Sequence, residues 1–151
     1  MKLALLFLAA VSLPFATTGS ILAEEPKFDE KILGVWQATS IKKAGKEAPP
    51  EAVKLMRMTF KKDEVLVRGN FQDEREVNCK YKLDAMKSPM HFDLMPPDED
   101  NPVLGILRFK DGKLEICFRN ANNSGERPQA FEADQDKSVV LMKFERVNVK
   151  P

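Results

Sequence analysis

The chain has 151 residues, 43% hydrophobic and 31% charged, with 24 Lys and Arg against 23 Asp and Glu. That length suits one domain with a single core and is too short for two. A near-zero balance of interspersed charges removes the electrostatic case for nucleic acid or an anionic membrane as partner.

Residues 1–23 have the layout of a secretory signal. Lys2 supplies a positive start, Leu3 to Phe15 is a nearly uninterrupted apolar run, and Ile21-Leu22-Ala23 ends in a small residue before Glu24-Glu25-Pro26. The apolar run is shorter than the roughly 20 residues that span a bilayer. Cleavage near Ala23 is therefore predicted, with no integral membrane segment left behind, and the expected location is extracytoplasmic, periplasmic or secreted. Cleavage removes one lysine and no acid, leaving 23 basic against 23 acidic residues in a chain of 128. Residues 24–30, EEPKFDE, read as a polar lead-in, and residues 31–151 as one domain.

The first strand is expected at KILGVWQATS, residues 31–40, which holds the only tryptophan, Trp36, two places after Gly34. PPEAVKLM predicts one short helix, because Pro50 suits a first helical position and Glu51 the positive helix end. After it the apolar period becomes two: Met56, Met58 and Phe60, a turn at Lys62-Asp63, then a strand from Val65 to Val67. Arg68-Gly69-Asn70 reads as the next turn. Val77, Cys79, Tyr81 and Leu83 then share one strand face, and Asp84 to Pro89 separates them from Met90, Phe92 and Leu94. Asp111-Gly112 between two apolar runs is a strong hairpin signal, since both central residues of a type I′ turn need positive φ. Leu114, Ile116 and Phe118 follow it, and Val140, Met142 and Phe144 form the last face. The sum is an all-β fold of about eight antiparallel strands with one short helix, a sandwich or small barrel.

Few residues suit chemistry. Cys79 and Cys117 are the only cysteines, and export makes a disulfide natural. Strand parity opposes it: Cys79 lies with Tyr81 and Leu83, whereas Cys117 lies with Glu115 and Arg119, opposite Leu114, Ile116 and Phe118. One thiol then points into the core and the other away unless a bulge shifts a register, so a bridge and two free thiols both stay open. His91 is the only histidine, and a Cys/His apparatus would gather Cys117 and Asp93 around it. A solvated strand histidine is the plainer reading. Asp98, Glu99 and Asp100 are adjacent and lack the alternate spacing of a calcium loop. Met56, Met58, Met86, Met90 and Met95 with His91 form a conceivable Cu(I) set, but most of them share strand parity with Phe or Leu, where methionine fills gaps in a core. No metal site, no cofactor and no enzymatic activity is expected.

Gly34 and Trp36 at the head of the first strand, with Arg146 near the end of the last, resemble the lipocalin arrangement, in which the indole plugs the barrel base under an arginine. Over residues 31–147, GVWQATSIKKAGKEAPPE, LMRMTFKKD, YKLDAMKSPMHFDL, LGILRFKDGKLEICF, GERPQAFEA and LMKFERV together resemble the small exported lipocalin-like domain family of planctomycete bacteria. Cys79 departs from a glycine usual in that pattern, and Leu107 from a common aromatic. The resemblance implies a small antiparallel lipocalin-like β-barrel and brings no established activity. Eight closed strands leave room for one small ligand, with Phe60, Tyr81, Phe92 and Phe118 as apolar walls. Arg127, in the long loop before the last strand, either grips a ligand carboxylate or pairs with an acid while Phe131 caps the core. Two functions follow: a monomeric module binding a small apolar or amphipathic ligand, or a structural or protein-interaction module whose interior is filled by its own side chains.

Overall fold

The computed structural model describes residues 27–70, 73–119, 126–134 and 136–148. The expected signal segment lies outside them. In chain order the elements are α1 (Phe28–Ile32), β1 (Gly34–Lys43), β2 (Lys46–Glu47), α2 (Pro50–Leu55), β3 (Arg57–Phe60), β4 (Glu64–Asn70), β5 (Asp73–Asp84), β6 (Met90–Met95), β7 (Val103–Lys110), β8 (Lys113–Arg119) and β9 (Val139–Arg146).

From β3 to β9 every strand pairs antiparallel with the next, and β1 pairs with both β3 and β9. Among the described residues eight strands thus close into a barrel, and β2 is an extra two-residue ribbon that pairs only with the end of β1. Period-two patterning fixes the register, because a slip of one residue would turn every apolar face outward. Trp36 sits opposite Met58, Phe60 opposite Val65, Val65 opposite Cys79, Tyr81 opposite Leu94, Leu107 opposite Ile116 and Leu114 opposite Phe144. All of these side chains belong to one buried cluster inside the barrel. A bulge between Ala38 and Ser40 keeps both Ala38 and Ile41 facing inward.

Three local expectations are corrected. Part of the expected lead-in is helical: α1 begins at Phe28, and its last residue, Ile32, is fully buried against the barrel. Among the described residues there are accordingly two short helices rather than one. Arg68-Gly69-Asn70 is not a turn; β4 runs through it to Asn70 with a register shift between Arg68 and Asn70. Gly69 makes this bulge feasible, since its φ is +86° and a Cβ there would collide with the Leu55 carbonyl.

Helix α2 fills the space beside β1 beyond the end of its pairing with β3. One side chain helps to close its C-terminal end: the two amide hydrogens of Gln37 are shared among the carbonyls of Val53 (3.3 Å), Lys54 (3.0 Å) and Met56 (2.9 Å), and the Met56 N–H also donates to Val53. Arg57 Nε in turn donates to Gln37 Oε1 at 3.2 Å.

A second, smaller core lies outside the barrel wall. Ile106, Cys117, Val139 and Leu141 point outward from β7, β8 and β9, and the segment 126–134 covers them with Ala133 and Phe131. The segment is held at both ends. Arg127 Nη1 donates to Asp93 Oδ1 at 2.5 Å and to the Gly105 carbonyl at 2.6 Å, while the Gly45 amide donates to the Ala133 carbonyl at 2.7 Å and Lys42 pairs with Asp134. It works as a strap across the outside of four strands.

Candidate functional site

The base of the barrel, where β1 begins and β9 ends, is built around Trp36. The indole is 2% exposed and donates from Nε1 to the Ile32 carbonyl at 2.8 Å, which docks α1 under the barrel. The Arg146 guanidinium lies over the ring at 4.4 Å from its centroid and donates to the carbonyls of Leu33, at 2.5 Å, and Lys31. Gly34 is required for that approach: its φ is +119°, and a Cβ would stand 2.7 Å from Arg146 Nη1. Phe109 packs on the indole with ring centroids 5.8 Å apart.

Beside this base opens a cleft of about 1050 Å³. Strand lengths produce it. β6 begins at Met90, whose partner is Leu107, whereas β7 continues to Lys110. The last three residues of β7 therefore rise past the end of β6, and the turn leading into Met90 and the strap segment 129–132 form the two banks of the gap. Trp36, Met90, Leu107 and Phe109 give the cleft its apolar side. Its charged lining is four cations, Lys31, Lys87, Arg108 and Arg146, and one acid, Glu132. Arg108 is shared with the wall: its Nε donates to Glu115 Oε2 at 2.6 Å, and its guanidinium stacks 4.1 Å from the Phe131 centroid.

None of the five expected ligand-binding residues lines this cleft. Phe60, Tyr81, Phe92 and Phe118 converge instead on one another, with centroids 5.4 Å apart for Phe60 and Tyr81, 5.9 Å for Phe60 and Phe92, 5.8 Å for Tyr81 and Phe92, and 5.4 Å for Phe92 and Phe118. They are interior packing, and Tyr81 spends its hydroxyl on the Lys61 carbonyl at 2.7 Å. Arg127 faces the outer wall and is satisfied by Asp93 and Gly105, so it is the strap anchor and not a ligand grip. Arg127→Ala is expected to cost about 1 to 3 kcal/mol, because it strands a half-buried carboxylate and a carbonyl. The accompanying sign is faster labelling of Cys117 beneath the loosened strap, read by mass spectrometry in native buffer.

The possible disulfide is corrected by the geometry of the wall. Cys79 is free inside the barrel, and Cys117 is free under the strap on the outer face. Burial pushes each thiol up to about 11 from the usual 9.0; Glu99 adds to the rise at Cys79, while a backbone hydrogen bond and Arg119 oppose it at Cys117. Folding thus retains protons that the unfolded chain releases, so their contribution is fully present below pH 9.0 and is lost as pH rises toward about 11. Urea midpoints measured across that window are expected to fall more steeply in the wild type than in a Cys79→Ala, Cys117→Ala double variant. His91 and Cys117 do share the outer face, but Ile106 stands between them in the cross-strand row, placing them two strand spacings, about 10 Å, apart. Met58 and Met56 are in the core while Met86 is 93% exposed, so the methionines do not converge. Asp98, Glu99 and Asp100 are exposed, and among the described residues no group of three His, Cys, Asp or Glu is placed to hold a metal ion.

Sequence reasoning missed Lys87, Arg108 and Phe109 as site residues. A usable signal existed in the unequal lengths of the segment Met90 to Met95 and the run ending at Lys110, because Pro89 and Asp111-Gly112 mark where each strand stops. No protein-family model, curated protein or solved structure matches the chain.

Proposed function

We propose that the protein is a small-ligand-binding module of lipocalin-like type, acting outside the cytoplasm, that holds an apolar or amphipathic ligand in the cleft beside Trp36. The observation that carries this reading is the cleft itself. Its volume of about 1050 Å³ is just above the range of roughly 300 to 1,000 Å³ in which small-molecule sites fall. Apolar side chains line one part of it and a few charged groups the rest, the mixture that orients an amphipathic molecule. The layout of residues 1–23 supports the location, and the stacking of Arg146 on Trp36 supports the lipocalin-like assignment. On this reading the ligand lies against the base and not in a deep calyx, since the packing of the aromatic rings around Phe92 supports a filled interior.

Trp36 is the only tryptophan and lies on the cleft wall, so its emission reports on occupancy. Titration with medium-chain amphiphiles below their micelle concentrations is expected to give a saturable change in emission and a one-to-one adduct in the native mass spectrum. A flat titration with a bare mass would overturn the reading. It would favour the second one, a filled-core structural or protein-interaction module, for which the packed aromatic cluster is the supporting observation.

A further inference from the structure

We propose that the ligand carries an anionic head, taken at the mouth of the cleft by Lys87, with its apolar tail laid along Met90, Leu107 and Phe109 toward Trp36. This rests on the cleft being the binding site. The argument begins with a contrast of charge. The mature segment expected from the sequence is neutral, with 23 residues of each sign, yet the cleft lining holds four cations and one acid. A positive rim in a neutral protein is a local feature, and it sits beside low-dielectric walls that focus its field on whatever enters.

The arrangement of groups decides between ligand classes. Arg146 and Arg108 already serve the structure, one over the indole and on two carbonyls, the other on Glu115 and the Phe131 ring. Lys87 is exposed on the turn between β5 and β6, two residues before Pro89 and three before Met90 of the apolar wall. The cleft lining offers a single-chain amphiphile an exposed ammonium, the thioether and aliphatic carbon of Met90 and Leu107, and two aromatic rings 5.8 Å apart. A cationic head would face an excess of like charge, four cations in the lining against Glu132 there and Glu115 behind Arg108. A neutral head would leave the ammonium without its counter-ion.

The test uses three probes with one tail: decanoate, decan-1-ol and decyltrimethylammonium, each titrated below its micelle concentration against the full folded domain, with Trp36 emission and native mass as readouts. Decanoate is expected to bind tightest, by about fivefold to tenfold over the alcohol, and to lose that advantage as sodium chloride screens the rim. Lys87→Glu is expected to remove the preference without lowering the thermal midpoint, since the side chain is exposed on a turn. Lys46→Glu makes the same change of net charge at the opposite end of the barrel and is expected to keep the preference. Equal binding of all three probes would overturn the anionic head while leaving the binding site in place. A preference unchanged in Lys87→Glu, or lost equally in Lys46→Glu, would overturn the role of Lys87. Failure of every probe to bind would remove the underlying reading, and this inference with it.

Discussion

Trp36→Ala is expected to lower the unfolding free energy by about 3 to 5 kcal/mol, the range for deleting a large buried aromatic. Three losses add at this position. The first is the transfer and cavity cost of an indole that is 2% exposed. The second is the hydrogen bond from Nε1 to the Ile32 carbonyl, the bond that ties α1 to the barrel base. The third is the stacking of Arg146, whose share is at the low end of roughly 0.5 to 2 kcal/mol because its guanidinium is solvent-exposed. Urea denaturation followed by far-ultraviolet circular dichroism measures the change, since the variant has no tryptophan to report by fluorescence. A midpoint within error of the wild type would mean that the ring does not close the base.

The parts of this fold that were legible in the sequence are those where one physical rule acts without competition. Val77, Cys79, Tyr81 and Leu83 alternate with Asn78, Lys80 and Lys82, and the structure puts the first set inside and the second out, because β5 has the core on one side and water on the other. The same rule separated the cysteines. Cys117 shows its limit, however: parity sets it pointing away from the barrel core, and it is fully buried all the same because the strap covers the outer face. Parity tells which side of a sheet a residue occupies and nothing about what lies on that side. Gly69 was misread for a related reason. A glycine after arginine reads equally as a turn or as a bulge, and the choice was made by the Leu55 carbonyl, which arrives from a separate element.

The site was less legible than the fold because it belongs to no single segment. Lys87 comes from a turn, Leu107 and Phe109 from β7, Trp36 from β1 and Arg146 from β9, and they meet only after the barrel has closed. The expected wall residues Phe60, Tyr81, Phe92 and Phe118 were identified correctly as inward-facing. What sequence could not supply was the distance across the barrel, which decides whether four inward rings leave a cavity or fill it.

That distinction is testable at Phe92, the centre of the cluster. Its ring is fully buried and lies 5.9 Å from Phe60, 5.8 Å from Tyr81 and 5.4 Å from Phe118. Opposite it stands Gly105, where a Cβ would come within 2.6 Å of Phe118 Cδ1, so the backbone has already yielded the space that these rings use. Phe92→Ala is therefore expected to cost about 3 to 5 kcal/mol, as the surrounding strands are tied by closed pairing and collapse only partly into the void. A domain of ordinary stability, about 5 to 15 kcal/mol, retains its fold after that loss, although one at the lower end of the range comes close to unfolding. The void left behind is apolar and of the kind that stays dry and accepts benzene. Benzene is accordingly expected to raise the thermal midpoint of Phe92→Ala and to leave that of the wild type unchanged, while amphiphile binding beside Trp36 persists in both. If the middle of the barrel were an open calyx, the same substitution would cost about 1 kcal/mol, near the average for any point mutation, and the wild type would already respond to benzene.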